Sequence, residues 1–189
     1  MSQSNLHLIL GGQRSGKSAY AEYLTSEWFK CEPLSSALML ATAKGFDEEM
    51  KLRILRHQQD RLLKLPQMKL IEEPINIAEC VSEQSSAKNL IVIDCITVWL
   101  TNLLMPHPSM VHGTFKDASS LVDDFFTAIE HASGPVVMIS NEIGLGVIPL
   151  GQDVRHYVDQ LGRLNQRLAR ICGQVTLMVS GIPMSLKSI

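Results

Sequence analysis

Residues 11–18 read GGQRSGKS, a stretch that combines glycines with a lysine and a hydroxyl side chain at a fixed spacing. Four of them fill the pattern G-x-x-x-x-G-K-[ST] of a phosphate-binding loop, or P-loop: Gly11, Gly16, Lys17 and Ser18. The stretch follows an apolar run and precedes a helical pattern, which favours a P-loop over an ordinary glycine turn. Its backbone N–H groups and the helix N-terminus present partial positive charge to a phosphate. The loop therefore predicts a nucleoside triphosphate bound through eight consecutive residues: Gly11, Gly12, Gln13, Arg14, Ser15, Gly16, Lys17 and Ser18.

A metal ion that bridges the phosphates needs oxygen ligands beside this loop. The Ser18 hydroxyl is one candidate, and the carboxylate of Asp94, which ends the apolar run LIVID, is the second. We predict that both side chains hold Mg²⁺, Asp94 through water, while Lys17 reaches the β- and γ-phosphates. Asp94 is equally suited to cap the N-terminus of the helix that follows it, and the two roles are compatible.

The segment DEEMKLRILRHQQDRLLKL places four ionisable residues at intervals of four: Glu49, Arg53, His57 and Arg61. On a helix they share one face. The flanking guanidiniums disfavour the imidazolium and lower the pKa of His57, which keeps the ring neutral and nucleophilic. A neutral imidazole beside two arginines can attack phosphorus while the arginines stabilise the developing charge. A solvated helix face with a Glu49–Arg53 ion pair explains the same spacing, so the spacing alone leaves both interpretations open.

These residues need a scaffold, and the alternation of apolar runs with amphipathic segments supplies one. Continuous apolar runs, typical of strands buried on both faces, occur at residues 6–10, 37–42, 90–94, 136–140 and 175–179. Helical segments between and beyond them are predicted at 17–29, 47–64, 97–105, 117–131 and 153–172. This order predicts an α/β protein: a P-loop NTPase-like three-layer sandwich with a mostly parallel central sheet. We expect one domain over residues 1–189, because this length supports a single core.

Composition excludes several classes of protein. Hydrophobic residues make up 46% of the chain and charged residues 19%, which is typical of a globular protein and unlike a disordered chain. The net charge of -2 provides no basic field, so we expect no nucleic-acid partner. No run approaches the ~20 apolar residues of a membrane span, and no signal-peptide pattern is present. Four scattered cysteines without a CxxC pair indicate reduced thiols and a cytoplasmic protein.

Several motifs together resemble one family. The matching stretches are GGQRSGKS with Ala21 and Glu22, Ala41-Thr42, Asp47 with Glu49 and Met50, RILRH (53–57) with Arg61, IDCITVWLTNLL (93–104), SNEIGLGVIP (140–149), Arg155, GRLNQRLA (162–169) and SGIPMSLK (180–187). In this order they resemble the bifunctional adenosylcobinamide kinase / adenosylcobinamide-phosphate guanylyltransferase family of cobalamin biosynthesis. The resemblance extends over nearly the whole chain and is far more specific than a P-loop alone.

The resemblance implies two reactions on a corrinoid substrate. The P-loop would serve phosphorylation of the hydroxyl on the aminopropanol arm of adenosylcobinamide, with ATP or GTP as phosphate donor. The enzyme would then transfer GMP from GTP, through a covalent guanylyl group on His57, to give adenosylcobinamide-GDP. We therefore expect Lys17, Asp94 and His57 to be the catalytic residues, and the family likeness further implies a homo-oligomer.

Other nucleotide contacts in the transferase half follow from the same resemblance. Arg53 and Arg61 would bind the nucleotide, and Glu72 would contact the guanine nucleotide, although a solvated loop carboxylate explains Glu72 equally well. The sequence departs from the family here: Leu62 stands where proline usually follows Arg61, and LPQMKLIEEP lacks the usual tryptophan. We expect these changes to alter packing beneath the helix and to leave the nucleophile in place.

Some roles stay open at this stage. Asn141 and Glu142 follow a predicted strand, where either ligand binding or a turn accounts for them. Arg155, Arg163 and Arg167 can bind phosphates or form a solvated helix face. The alternative function is a monofunctional P-loop kinase of another small hydroxylated substrate, with a structural His57. A guanine-nucleotide switch fits less well, since the chain lacks an N-K-x-D element.

Overall fold

The computed structural model describes residues 3–45, 48, 52, 63–110, 117–146 and 149–188. The strands are β1 (Gln3–Gly11), β2 (Ser36–Ala41), β3 (Met68–Glu72), β4 (Asn89–Asp94), β5 (Val136–Ile139), β6 (Cys172–Val179) and β7 (Ile182–Ser188). The helices are α1 (Lys17–Cys31), α2 (Ile77–Gln84), α3 (Ile96–Leu104), α4 (Ala118–Glu130) and α5 (Gln152–Ile171), with a 3-10 turn at Pro108–Met110. Most of the predicted helix 47–64, with Glu49, Arg53, His57 and Arg61, lies outside the described residues.

All seven strands form one sheet in the order β3-β2-β4-β5-β1-β6-β7. The first six strands of this order are parallel, and β7 runs antiparallel to β6. The predicted mostly parallel sheet is therefore confirmed. Because the parallel strands share one direction, their carboxyl ends meet at one edge of the sheet, where ligands of open α/β folds bind.

The core has two parts because both faces of the sheet are covered. Leu6, Leu8 and Leu10 of β1 belong to the larger cluster, which α2, α3, α4 and α5 complete. Ile9, one position out of phase, points to the other face and joins a second cluster with Ala21 of α1. Helices on both faces confirm the three-layer arrangement and explain why the strand sequences are continuously apolar.

Two sequence predictions concern the chain as a whole. The four cysteines, all of them in the described part of the chain, are free thiols, and Cys31 is exposed. Among the helices of the described ranges, none combines the length and apolar character needed to cross a membrane.

Candidate active site

The P-loop connects β1 to α1 at the carboxyl edge of the sheet, in a backbone conformation that requires glycine at two positions. Gly11 has a φ of 152° and Gly16 a φ of 100°. A Cβ atom on Gly11 would lie 2.6 Å from the Met178 carbonyl oxygen and 2.6 Å from the Ser15 Oγ. At Gly16 it would lie 3.1 Å from the Cα atom of Gly181. A side chain at either position would therefore strain the loop.

Neighbouring loops hold this backbone in place. The N–H of Gly181, in the β6–β7 turn, donates to the Ser15 carbonyl at 2.9 Å, and the Glu142 N–H donates to the Gly11 carbonyl at 3.1 Å. The Ser15 hydroxyl is buried and has no hydrogen-bond partner within the described ranges. Since buried hydroxyl groups are normally satisfied, this orphan fits a loop built to receive an external acceptor such as phosphate.

Lys17 lies inside the loop with its side chain largely buried. Its ammonium donates to the carbonyl oxygens of Gly11 at 3.1 Å and Gly12 at 2.7 Å. Burial lowers the pKa of Lys17, an effect that neighbouring Cys95 and Asp94 partly offset. The ammonium is thus held at the loop by neutral carbonyl groups, which phosphate oxygens can replace with stronger charge-assisted bonds.

Ser18 and Asp94 meet across the sheet edge. The Ser18 Oγ donates to the Asp94 Oδ2 at 3.1 Å, which joins the first turn of α1 to the end of β4. The N-cap of α3 is Cys95, so the alternative role of Asp94 as the helix cap is not the one observed. A hydroxyl and a carboxylate are the hard oxygen donors that Mg²⁺ prefers, and the pair fits such an ion.

Cys95, like Asp94, is an ionisable residue close to Lys17. Burial and the adjacent Asp94 carboxylate raise the pKa of the Cys95 thiol to about 11. The thiol therefore stays protonated near neutral pH, and it is not a nucleophile for a nucleotide in the loop.

A buried polar network supports the loop that follows β5. Asn165 of α5 accepts from the Ser140 hydroxyl at 2.7 Å and donates to the Asn141 carbonyl at 3.0 Å. The Asn141 N–H donates to the Thr97 Oγ1 at 2.7 Å. These bonds fix Asn141, the residue just before Glu142. The Glu142 N–H in turn donates to the Gly11 carbonyl of the P-loop. In the sequence, the only signal was an asparagine on the apolar face of α5.

The sequence profile of the CobU family, described as cobinamide kinase / cobinamide phosphate guanyltransferase, matches residues 7–186. The chain belongs to this family. Similar proteins include the bifunctional adenosylcobalamin biosynthesis protein CobP of Pseudomonas aeruginosa, 38% identical over 181 residues that cover 95% of this chain and 96% of CobP. CobU of Escherichia coli, with the same description, is 30% identical over 188 residues, 95% of this chain and 98% of that protein.

Membership of the CobU family confirms the predicted bifunctional kinase and guanylyltransferase of cobalamin biosynthesis. A solved structure, the flagellar accessory protein FlaH of Methanocaldococcus jannaschii, aligns with a TM-score of 0.52 at 12% identity and covers 100% of this chain and 80% of FlaH. At that identity the likeness concerns the fold alone. With the sheet order and the loop geometry, it confirms the predicted P-loop NTPase-like fold.

The residues predicted for the transferase half of this CobU family member lie away from the P-loop or outside the described part. Glu72 ends β3, in register with Ala41 of β2, and its side chain is exposed. Four strand intervals separate β3 from β1, so Glu72 lies about 19 Å from the strand at which the loop begins, at about 4.8 Å per interval. Asp94, which Ser18 contacts, is two intervals from Glu72. Arg53, His57 and Arg61 lie outside the described residues.

Of the three arginines predicted as possible phosphate ligands, Arg155 and Arg167 have partners within the chain. Arg167 contacts Asp123 at 3.1 Å, and its guanidinium lies 3.9 Å from the centre of the Phe126 ring. Arg155 donates to the Pro149 carbonyl at 3.0 Å and to the Leu150 carbonyl. These contacts favour the structural interpretation of Arg155 and Arg167 over a phosphate-binding one. Arg163 is exposed on α5.

Proposed function

We propose that this chain phosphorylates adenosylcobinamide with ATP or GTP and then transfers GMP from GTP to the product through a guanylyl group on His57. The observation that carries the proposal is the Ser18–Asp94 contact beside the buried Lys17, in a chain that belongs to the CobU family. It brings the Lys17 ammonium, the Ser18 hydroxyl and the Asp94 carboxylate to one end of the sheet, where they would bind phosphate and a metal ion.

In the kinase half, residues 11–18 enclose the triphosphate and Lys17 leaves the loop carbonyls to bind the β- and γ-phosphates. Ser18 and Asp94 would hold Mg²⁺, which neutralises the charge that develops on the phosphate oxygens. The orphan Ser15 hydroxyl supplies one more donor for the phosphates. The corrinoid hydroxyl attacks the γ-phosphorus, and the nucleoside diphosphate leaves.

In the transferase half, an imidazole nitrogen of His57 attacks the α-phosphorus of GTP. A nitrogen–phosphorus bond forms while the bond to the leaving pyrophosphate breaks. The phosphate oxygen of adenosylcobinamide phosphate then attacks the same phosphorus, the nitrogen–phosphorus bond breaks, and the free imidazole is restored. Arg53 and Arg61 stabilise charge on the phosphoryl oxygens.

Glu72 serves the transferase half in this proposal. It lies four strand intervals, about 19 Å at about 4.8 Å per interval, from β1, where the P-loop begins. It nevertheless ends a parallel strand at the same edge as Asp94. A contact to the guanine nucleotide would therefore place the transferase reaction along this edge, at the β2–β3 end.

Analysis of the products by mass spectrometry tests the proposal. With adenosylcobinamide, Mg²⁺ and ATP, the wild type should form only adenosylcobinamide phosphate; addition of GTP should convert it to adenosylcobinamide-GDP. His57→Ala should retain the first product and lose the second. Turnover that responds to other hydroxylated small molecules and ignores adenosylcobinamide would instead support the monofunctional kinase.

We also propose that the protein acts as a homo-oligomer in the cytoplasm. A row of exposed apolar side chains supports the first of these proposals: Ile182, Met184 and Leu186 alternate along β7, at the edge of the sheet. Ile182 and Met184 share one face of the strand and form an exposed apolar surface, and the pairing with β6 shifts register beside Leu186. Sedimentation velocity of the wild type and of Met184→Lys measures the assembly directly.

A further inference from the structure

Asn102 lies on α3 with its side chain almost completely buried, 6% exposed. Its amide nitrogen donates to the Thr42 carbonyl at 2.9 Å and to the Pro74 carbonyl at 3.1 Å. A side-chain amide has two N–H donors, and here each is used on a different loop. One loop follows β2 and the other follows β3, so a single side chain fixes both relative to α3.

The Thr42 branch leads to the predicted metal ligand. Thr42 is fully buried, and its hydroxyl donates to the Cys95 carbonyl at 2.8 Å and accepts from the Cys95 N–H at 2.9 Å. The Thr42 N–H donates to the Asp94 carbonyl at 3.1 Å. Because Thr42 holds the peptide group that joins Asp94 to Cys95 and the carbonyl after it, the direction of the Asp94 carboxylate toward Ser18 depends on where Thr42 lies.

The Pro74 branch leads to the transferase half. Pro74 follows Glu72 by two residues, and the intervening Glu73 donates its N–H to the Ala41 carbonyl at 3.0 Å. The Glu73 Oε1 accepts from the N–H groups of Ile75 and Asn76 at 2.8 and 2.7 Å. This turn is therefore rigid, and Asn102 sets its position. Thr42 also begins the stretch of chain that continues toward His57.

We propose that Asn102 is a positioning residue for both reactions, which couples the geometry of Asp94 to that of the Glu72 turn without contact to either substrate. The part of this inference that concerns guanylyl transfer rests on the proposed function. A buried amide with only a structural role would affect stability alone, whereas a positioning residue also affects the groups that it places.

The test compares Asn102→Ala with Asn5→Ala. Asn5 is a matched control, since its amide also donates to two backbone carbonyls, those of Ala132 at 3.2 Å and Gly134 at 2.9 Å. It lies near the start of β1, at the end of the sheet opposite the P-loop. Two readouts are normalised to folded protein: the Mg²⁺ concentration for half-maximal phosphorylation, and the rate of protein labelling by GTP radiolabelled at the α-phosphate, at saturating Mg²⁺.

Both variants should lose thermal stability. Only Asn102→Ala should raise the Mg²⁺ requirement and slow labelling, each by about tenfold, as for the loss of a partner that orients a metal ligand. Asn5→Ala should stay within about twofold of the wild type on both readouts, the scatter that local context gives. Unchanged readouts in Asn102→Ala, or equal changes in both variants, would overturn the proposal.

A second variant covers the case in which Asn102→Ala does not fold. Thr42→Val preserves the side-chain shape and removes only the two hydroxyl bonds to Cys95, so it should raise the Mg²⁺ requirement and leave labelling nearly unchanged. A Thr42→Val protein with a wild-type Mg²⁺ requirement would contradict the inference. If wild-type protein takes up no label, the guanylyl-histidine proposal fails, while the Mg²⁺ readout still tests the link from Asn102 to Asp94.

Discussion

The Ser18 hydroxyl and the Asp94 carboxylate, 76 residues apart in the chain, form a hydrogen bond of 3.1 Å. Asp94 ends β4, and Ser18 belongs to the helix that follows β1; β5 lies between these two strands. Because the strands are parallel, β1 and β4 both end at the carboxyl edge of the sheet. The first turn of α1 then brings the Ser18 hydroxyl across β5 to the Asp94 carboxylate. The contact places a hard oxygen pair next to the ammonium of Lys17.

Substitution of Asp94 by asparagine keeps the shape of the side chain and removes its charge. We expect the Mg²⁺ concentration for half-maximal phosphorylation to rise by at least about tenfold, since loss of outer partners of a metal ligand already costs this much. A titration of kinase rate against Mg²⁺ measures the effect. Asp123→Asn is the control, because Asp123 is exposed and pairs with Arg167 on the helical face. An unchanged Mg²⁺ requirement in Asp94→Asn would remove Asp94 from the metal site.

Substitution of Lys17 by methionine keeps the length of the side chain and removes its positive charge. The kcat of phosphorylation should fall by about 10²–10³-fold, the usual loss when one preorganised electrostatic group is removed. Lys30→Met is the matched control on the same helix, since Lys30 is exposed and pairs with Glu27 at 2.7 Å. Equal rates for the two variants would show that the buried ammonium does not act on the phosphates.

Two glycines of the loop should differ in their tolerance of alanine. Gly11→Ala should destabilise the protein by about 1–3 kcal/mol, because a Cβ there meets backbone in a conformation that other residues avoid. Gly12→Ala should have little effect, since a Cβ at that position meets no atom within 4 Å. Chemical denaturation of both variants checks this. Equal losses would contradict the assigned loop geometry.

His7 makes stability depend on pH. It lies buried on β1, where burial lowers its pKa from 6.5 to about 4, and its Nε2 lies 2.8 Å from the Thr176 Oγ1. Between pH 6.5 and 4 the unfolded chain therefore binds a proton at His7 that the folded chain does not bind. The contribution of His7 to the free energy of unfolding is complete above pH 6.5 and is lost as the pH falls toward 4. Between pH 6.5 and 5 the loss should be about 2 kcal/mol.

Denaturation of His7→Gln at several pH values tests this, because the variant should lack that part of the acid sensitivity. Thr176→Val removes the hydrogen-bond partner of His7, so it separates the effect of that bond on the pKa of His7 from the effect of burial. Since burial is the cause of the shift, Thr176→Val should keep most of the pH dependence. A His7→Gln protein as acid-sensitive as the wild type would assign the effect to other groups.

The buried parts of the fold could be predicted from sequence, and the exposed parts could not. The apolar runs at 90–94 and 136–140 match β4 and β5 within one residue at either end, because both faces of these strands are covered. β3 was missed since Lys69, Leu70 and Glu72 are exposed and its pattern is weak. β7 was missed because it is an exposed antiparallel edge strand that contains Pro183, and α2 because it has only 8 residues.

The candidate site also has parts that could be predicted from sequence and parts that could not. The P-loop and Asp94 could be predicted because their spacing and strand context carry the chemistry. The hydrogen bonds that hold them could not, since Thr42, Asn102 and Asn165 are ordinary polar residues whose partners lie far away in sequence. Such contacts depend on the packing of loops, which no local pattern encodes.

The most direct test of the account is a protein-labelling experiment with GTP radiolabelled at either the α- or the γ-phosphate. Wild type should acquire acid-labile, alkali-stable label from the α-labelled nucleotide and none from the γ-labelled one, and adenosylcobinamide phosphate should then remove the label as adenosylcobinamide-GDP. His107→Ala, which alters an exposed histidine bonded to Ser109, should label normally, whereas His57→Ala should not label. An unlabelled wild type, or equal labelling of His57→Ala, would contradict the account.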